Sequence, residues 1–255
     1  MKIDINLEYN HNMDPYDRDE ISNRKQRTVH IVTPCTRIFN LKSIAESINH
    51  NSDLALWSVK FKWYIVLDTN CLSIFDINQV LGNLDDLKIG DRYTMEPPIV
   101  LLNDKPGTVG HQHRNLVLDK LMNENAKGYF YSIDDDNIMH PHFWTIFEAP
   151  LLQDEYLNKL DFKDEDTPAI ALTQVGKDEE VRFGDGGTYL HAKPEQMKLY
   201  HVDTAQVLFN LDYIGNHRYN VFAYNGDGII VENFYNEYPN FVFIDKGLCY
   251  YNYLK

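Results

Sequence analysis

Three consecutive aspartates are the residues of this chain best suited to chemistry. Asp134, Asp135 and Asp136 directly follow the apolar, aromatic run Tyr129–Ile133, and Asn137 comes next. Adjacent carboxylates repel each other and aspartate is a poor strand former, so folding alone does not favour this arrangement. Hard divalent cations take oxygen ligands, and they are often shared between one or two carboxylates and a substrate's phosphates. The pattern predicts a metal site that presents a phosphorylated ligand, with a solvated acidic turn as the alternative.

Two further runs of strand-forming residues end in polar groups. The run 28–33 leads into a polar segment that ends at Arg37, and the apolar run 63–67 stops at Asp68. In parallel sheets, ligands bind beyond the carboxyl ends of the strands. Three polar strand ends on one edge favour a site more strongly than any one of them.

The elements that must position these groups alternate between strand and helix through the first 150 residues. Strands are predicted over 28–33, 63–67, 99–102 and 129–133, and helices over 41–48, over 110–122 and from Pro141 onward. This alternation predicts a parallel central sheet covered by helices, which is an α/β fold.

The second half of the chain has a different pattern. Strands are predicted over 169–175 and 241–244, a hairpin turn over 184–187, and a helix over 229–235 that follows the turn sequence NGDG at 225–228. Glycine and aspartate at those turns are strong turn formers. We therefore expect shorter elements and more connecting loops after residue 150.

Composition excludes several classes of function. The net charge of −14 argues against nucleic acids and anionic membranes as partners, because both require a positive face. The three cysteines form no CxxC pair, which fits a reducing compartment. The first 27 residues are polar, without the apolar core of a signal peptide, and the chain has no apolar run of about 18 residues. We expect a cytoplasmic protein without a membrane span.

Two motifs resemble a known enzyme family. Residues 114–119 read RNLVLD and residues 131–137 read YSIDDDN, and they follow one strand that ends in Thr-Pro and another that ends in Asp. Together they resemble inverting glycosyltransferases of the GT-A fold, in particular the β-glucuronyltransferase-like group and, more generally, the family-2 transferases. The resemblance is good over residues 28–150 and looser after residue 200.

The resemblance implies one domain with a Rossmann-like, mixed and mostly parallel sheet flanked by helices. Residues 28–150 would form its nucleotide-sugar-binding half and residues 151–255 its acceptor-binding half, after an N-terminal extension over residues 1–27.

The resemblance also implies a divalent cation, Mn²⁺ or Mg²⁺, at the acidic cluster. Asp134 and Asp136 would be the two ends of a DxD motif that forms the metal site, with Asp136 as the direct ligand. Asp134 and Asp135 would contact the nucleotide ribose or a metal-bound water. The cation would bridge the two phosphates of a nucleoside-diphosphate sugar and stabilise the departing diphosphate.

Other residues match the family's nucleotide contacts. Asp68 matches an acid that accepts the N–H of uracil, which makes a UDP-sugar the expected donor. Thr33, Pro34 and Arg37 match the first nucleotide loop. Arg114 matches a helix arginine near the nucleotide, where its forked donors suit phosphate. The alternatives are an ordinary loop aspartate and surface arginines in salt bridges.

The catalytic base implied by the resemblance is Asp227. It would take the proton from the hydroxyl of a glycan or other acceptor as that oxygen attacks the anomeric carbon. A plain turn is the alternative for Asp227, and Glu232 is the fallback base. Asp203 matches a position near the donor sugar.

The histidines are weaker candidates for the metal. His111 and His113 are two residues apart on a predicted helix, a spacing that does not place both side chains on one face. The family often adds a late histidine ligand, for which His191, His201 and His217 are the candidates.

Two other classes of function remain open. A nucleotidyltransferase or metal phosphohydrolase also gathers carboxylates around Mg²⁺. Those enzymes usually carry a Lys- or Gly-rich phosphate loop after the first strand, where this chain reads TPCTR over residues 33–37. A non-catalytic sugar-nucleotide-binding protein of the same fold is the third possibility.

Overall fold

A central β-sheet positions the candidate residues. The computed structural model describes residues 26–55, 59–91, 94–148, 166–176 and 189–254. The strands are β1 (Arg27–Cys35), β2 (Val59–Asp68), β3 (Ile89–Asp91), β4 (Thr94–Glu96), β5 (Ile99–Asn103), β6 (Tyr129–Ser132), β7 (Ala169–Gly176), β8 (Tyr189–Leu190), β9 (Val207–Asn210) and β10 (Val242–Tyr251). The helices are α1 (Leu41–Leu54), α2 (Ile74–Gly82), α3 (His111–Asn123), α4 (Thr145–Glu148), α5 (Leu211–Ile214) and α6 (Gly226–Glu237).

The sheet is mixed and mostly parallel. Seven strands lie in the order β10-β7-β9-β6-β1-β2-β5, and β8 pairs with β7. Strands β1, β2, β5 and β6 are parallel, as is the pair β7 and β10. Strand β9 runs antiparallel to both of its neighbours. The predicted α/β class with a mostly parallel sheet is confirmed.

Alternate residues of the central strands face two separate cores. In β1, Val29 and Ile31 join one buried cluster, whereas Val32 joins the other. Strand β6 does the same, with Tyr129 and Tyr131 on one face and Phe130 on the other. A sheet buried on both faces produces near-continuous apolar strands, which is why these runs are so easy to recognise in the sequence.

Helices cover both faces. Helix α1 buries Leu41, Ile44 and Ile48 against one face at helical spacing, next to α2. Helices α3 and α6 supply Leu118 and Val231 to the other face. Helix α2 starts at a capping box in which Ser73 and Asp76 satisfy each other's backbone N–H groups. None of the helices that the structure describes is both long and apolar enough to cross a membrane.

Most predicted elements are present with shifted ends. Helix α1 runs six residues beyond the predicted 41–48, because the Asn51 side chain donates within the helix and to the His140 carbonyl. The helix expected from Pro141 begins only at Thr145, after a series of turns. Helix α6 begins at Gly226, three residues before the predicted start. The extension over residues 1–25 and the hairpin turn at 184–187 lie outside the described residues.

Candidate active site

A cleft of about 460 Å³ lies at the carboxyl ends of β1, β2 and β6. The parallel register pairs Cys35 with Leu67, and the Ile133 N–H donates to the Val32 carbonyl, so these three strands end at one edge. The polar strand ends predicted from the sequence therefore face one space. Pro34, Arg37, Asp68, Arg114, Asp134, Asp135, Asp136, Asp203 and Asp227 all line it.

Asp135 anchors the loop that follows β1. Its Oδ2 accepts hydrogen bonds from the Thr36 N–H at 2.6 Å and the Arg37 N–H at 2.8 Å, and from the Thr36 hydroxyl at 3.0 Å. Its Oδ1 accepts from Arg37 Nε at 2.8 Å and pairs with Arg37 Nη2 at 2.7 Å. The carboxylate is buried and occupied, so it positions the loop rather than making the predicted contact with a nucleotide.

Asp134 forms an ion pair with a fully buried arginine. Arg114 Nη2 donates to Asp134 Oδ1, Nε donates to the Ser132 hydroxyl at 2.9 Å, and Nη1 donates to the Val109 carbonyl at 2.6 Å. Every guanidinium nitrogen thus has a protein acceptor, and the geometry assigns Arg114 to holding Asp134 instead of the phosphate contact that the sequence predicted. Asp134 itself is open to the cleft, with 38% of its side chain exposed.

A glycine allows helix α3 to bring Arg114 beneath Asp134. Gly110, the residue before α3, has φ of +77°. A Cβ at this position would lie 2.7 Å from Pro34 Cβ. Only glycine combines this left-handed backbone with so close an approach.

Asp136 and Arg37 complete the charge network. Arg37 Nη1 lies 3.2 Å from Asp136 Oδ2, and 37% of the Arg37 side chain is exposed. Arg37 therefore joins two of the three aspartates while remaining accessible from the cleft, which is compatible with its predicted contact with phosphate or base.

Asp68 lies at the end of β2, where the sequence placed it. Its Oδ1 accepts from the Asn70 N–H at 2.8 Å, and its Oδ2 lies 3.9 Å from His113 Nε2. His113 is buried, its two ring nitrogens have no hydrogen-bond partner among the described residues, and burial lowers its pKa. His113 is thus a neighbour of Asp68, but His111 also lines the cleft, so the two histidines reach one space despite their spacing.

Thr33 is a correction to the sequence prediction. Its side chain is fully buried within β1, and its hydroxyl accepts a hydrogen bond from the Trp63 indole at 3.0 Å. The cleft begins one residue later, at Pro34, so Thr33 lies just inside the strand end. The expected nucleotide contact by the Thr33 side chain is wrong.

The three histidines proposed as a further metal ligand lie outside the cleft. His191 pairs with Asp245 at 2.6 Å and His217 pairs with Glu237 at 3.0 Å. Neither of these histidines, nor His201, lines the cleft.

Asp227 lies in the first turn of α6. Its Oδ1 accepts from the Gly228 N–H at 2.8 Å. Burial, followed by repulsion from Asp203, raises the pKa of Asp227 to about 6. Gly226 lets α6 begin against α3, since a Cβ there would lie 2.7 Å from His111 Cδ2. The fallback base, Glu232, does not line the cleft.

Asp203 has a structural role beside the cleft. It caps the short 3₁₀ helix 204–206, accepting from the Ala205 N–H at 3.1 Å, and it also accepts from Gln174 Nε2 at 3.2 Å. Sequence reasoning placed it near the donor sugar but did not recognise the cap, although the spacing of Asp203 and Gln206 is that of a capping box.

The cleft carries an excess of negative charge. Burial raises the pKa of Asp134 to about 6, and the neighbouring aspartates add to this rise while Arg114 opposes it. A divalent cation would relieve this repulsion, and carboxylate oxygens are its preferred ligands. No group of three His, Cys, Asp or Glu side chains in the described part of the chain could enclose a metal. Asp134 and Asp136 both line the cleft, so these two carboxylates fit a cation only if a ligand supplies its remaining oxygens.

Comparison with known proteins supports the fold. No protein-family model matches the sequence, and no curated protein matches it. Among solved structures, the chain is similar to residues 1–349 of TarS, a glycosyltransferase from S. aureus, with a TM-score of 0.52 and 12% identity. The match covers 88% of this chain and 60% of the TarS chain, so this chain spans less than two thirds of that structure. At this level of similarity the comparison shows a shared GT-A-like fold.

Proposed function

We propose that the protein is a metal-dependent glycosyltransferase that moves a sugar from a nucleoside-diphosphate sugar to a hydroxyl acceptor with inversion. The observation that carries this proposal is the meeting of Asp134, Asp136 and Asp227 in one cleft. The first two suit a cation that binds phosphate, and the third suits a base. The GT-A-like fold shared with TarS supports the same class of reaction.

In the proposed reaction, Asp227 acts as the general base. Its carboxylate takes the proton from the acceptor hydroxyl while that oxygen forms a bond to the anomeric carbon. The bond between the anomeric carbon and the phosphate oxygen breaks, and the nucleoside diphosphate leaves with the electron pair. A single displacement inverts the anomeric centre. A base with a pKa of about 6 is ionised at neutral pH yet still basic enough to assist.

The part of the cleft formed by Asp68, Arg37 and the three aspartates is here called the donor end. When bound by Asp134 and Asp136, Mn²⁺ or Mg²⁺ would supply Lewis-acid stabilisation of the diphosphate. Arg37, which is partly exposed, is placed to add positive charge for the phosphates. Asp68 would accept the N–H of a uracil base, so UDP is the proposed nucleotide.

The test is a thermal-shift screen of UDP, GDP, CDP and TDP, each with and without Mn²⁺. A ligand that binds only the native state raises its melting temperature. The proposal expects a rise with UDP plus Mn²⁺ that Asp136→Asn abolishes. If no nucleotide shifts the melting temperature in the presence of metal, the aspartates form an acidic turn and the proposal fails.

A second experiment separates an enzyme from a binding protein. We expect Asp227→Asn to lower turnover by about 100-fold or more while keeping the UDP-dependent thermal shift, because only the base is lost. Turnover is measured as UDP release from UDP-sugars in the presence of a panel of saccharide acceptors. Glu232→Gln is the matched control, since Glu232 is on the same helix but outside the cleft, and it should keep normal turnover.

A further inference from the structure

Two exposed tyrosines line the cleft beside the proposed base. Tyr200 is 73% exposed and Tyr224 is 79% exposed, yet both belong to the cleft wall. Tyr224 precedes Asp227 by three residues, and the Tyr200 backbone lies against Gly228, whose Cβ would be 3.2 Å from Tyr200 N. The part of the cleft formed by Tyr200, Tyr224 and Asp227 is here called the acceptor end.

The backbone at Tyr200 adds a second observation. Tyr200 has φ of +69°, a left-handed conformation that costs a bulky residue roughly 1–2 kcal/mol. Its largely exposed ring gains little packing in return. Strain of this kind persists where the surrounding structure enforces it, and it clusters at ligand-binding positions. The strained backbone therefore presents an aromatic ring to the cleft.

The polar groups of the acceptor end are hydroxyls, amides and carboxylates. Asn225, between Tyr224 and Asp227 in the sequence, lines it together with Asp203 and Asp227. Among the described residues that line the cleft, Arg37 and Arg114 are the cations, and both are paired with the aspartates of the donor end. An anionic group bound beside Asp203 and Asp227 would meet like charges without a counter-ion.

We propose that the acceptor is a neutral saccharide whose ring stacks on Tyr200 and Tyr224. A pyranose ring presents an apolar face of C–H groups, which suits the flat, amphipathic surface of tyrosine. Its hydroxyl groups would pair with the amide of Asn225, and one hydroxyl would face Asp227. This inference rests on the proposed glycosyltransferase function and names the class of its acceptor.

A nucleobase is the other flat ligand that tyrosines bind. The nucleobase belongs to the donor end. Asp68, its proposed partner, lies at the end of β2, and β1 separates β2 from β6, which the three aspartates follow. With about 4.8 Å between neighbouring strands, that separation is about 10 Å, which matches the span from a base to its diphosphate. The tyrosines precede Asp227 and α6 instead, on the side where an acceptor hydroxyl must arrive.

The test is saturation-transfer-difference NMR with UDP and Mg²⁺ present. The probes are four neutral disaccharides, cellobiose, maltose, lactose and chitobiose, with cellobiouronic acid as the anionic counterpart of cellobiose. We expect transfer to the C–H protons of one ring face of a neutral disaccharide, and weaker transfer to cellobiouronic acid. Tyr200→Ala and Tyr224→Ala should each weaken saccharide binding by about tenfold, the effect of one lost stacking contact.

Matched variants control for folding. Tyr200→Phe and Tyr224→Phe keep the ring and should keep saccharide binding. Phe222→Ala removes an 88% exposed aromatic residue of the same loop that does not line the cleft, and it should change nothing. The UDP-dependent thermal shift is measured for every variant and should stay at the wild-type value.

Several outcomes would overturn the inference. One is a wild-type protein that binds UDP but none of the neutral disaccharides, and another is preference for cellobiouronic acid. Loss of UDP binding in the alanine variants would assign the tyrosines to the base instead. Failure of the proposed function itself looks different, because the wild-type protein would then show no UDP-dependent shift.

Discussion

The donor end and the acceptor end of the cleft are built in opposite ways. At the donor end, Asp135 and Arg114 are buried, and the three aspartates are paired with Arg37 or Arg114. At the acceptor end, Tyr200 and Tyr224 project with exposed rings from connecting segments. Preorganised charges favour tight positioning of a diphosphate and a cation, whereas loop side chains on a rigid scaffold can vary with the acceptor. Under the proposed function, the difference would make donor binding rigid at one end and let the choice of acceptor vary at the other.

The largest expected effect comes from removing the buried arginine of the donor end. Arg114→Met should lower the free energy of unfolding by about 4 kcal/mol, because it leaves Asp134, Ser132 and the Val109 carbonyl without their donor. Urea denaturation followed by circular dichroism measures this change. A donor end that is held rigidly by its ion pairs requires a loss of this size.

The matched control is an exposed ion pair. Lys60 and Glu96 lie 2.6 Å apart at the surface, and Lys60→Met should cost less than about 1 kcal/mol. If Arg114→Met lowers the free energy of unfolding as little as Lys60→Met does, the buried ion pair does not hold the donor end rigidly. The contrast between the two ends then disappears.

A smaller loss of stability should distinguish Asp135 from its neighbour Asp136. Asp135→Asn should lower the free energy of unfolding by about 2 kcal/mol, because an amide cannot accept the bonds from Thr36 and Arg37 at both of its ends. Asp136→Asn should change stability by less, about 1 kcal/mol, because the amide oxygen at this buried position can still accept from Arg37.

Nucleotide binding should distinguish the same two variants in the opposite order, with the larger loss in Asp136→Asn. Asp136→Asn is expected to lose the metal-dependent nucleotide shift, whereas Asp135→Asn should keep a weakened shift. Equal stability losses in the two variants would contradict the assignment of Asp135 to the loop and of Asp136 to the cation.

The sequence predicts the location of the site well, for a physical reason. Strands buried on both faces give unmistakable apolar runs, and the polar residues that end them must meet at one edge of a parallel sheet. Asp68, the three aspartates and Arg37 were all placed in this way, and the structure brings them into one cleft. Asp227 was predicted as a site residue from the family resemblance rather than from the pattern of apolar residues.

The pairing of the charges could not be predicted from the sequence. Arg114 looked like a phosphate ligand because its type suits phosphate, but its contacts depend on the approach of α3 to the loop after β1. The Thr33 prediction failed because the sequence does not show where the cleft begins along β1 or that Trp63 from β2 occupies the Thr33 hydroxyl. Tyr200 and Tyr224 carried no signal, since only the folded structure reveals that their rings are exposed.

The smallest expected effect concerns pH and the base at the acceptor end. Burial and then Asp203 raise the pKa of Asp227 to about 6, so the ionised fraction of Asp227 falls as the pH drops through that value. Turnover at saturating substrates should therefore fall about tenfold for each pH unit below 6 and level off above it. The acidic limb of the pH profile for turnover measures this dependence.

Asp203→Asn tests whether the acidic limb belongs to a carboxylate of the cleft. Asparagine caps helices as well as aspartate does, and its carbonyl can still accept from Ala205 and Gln174, so the fold is retained. The variant removes one negative charge beside Asp227, so the pKa of Asp227 should fall and the acidic limb should move to lower pH. Asp203 also raises the pKa of Asp134, so an unchanged limb in a folded, active variant would mean that neither Asp227 nor Asp134 is the titrating group.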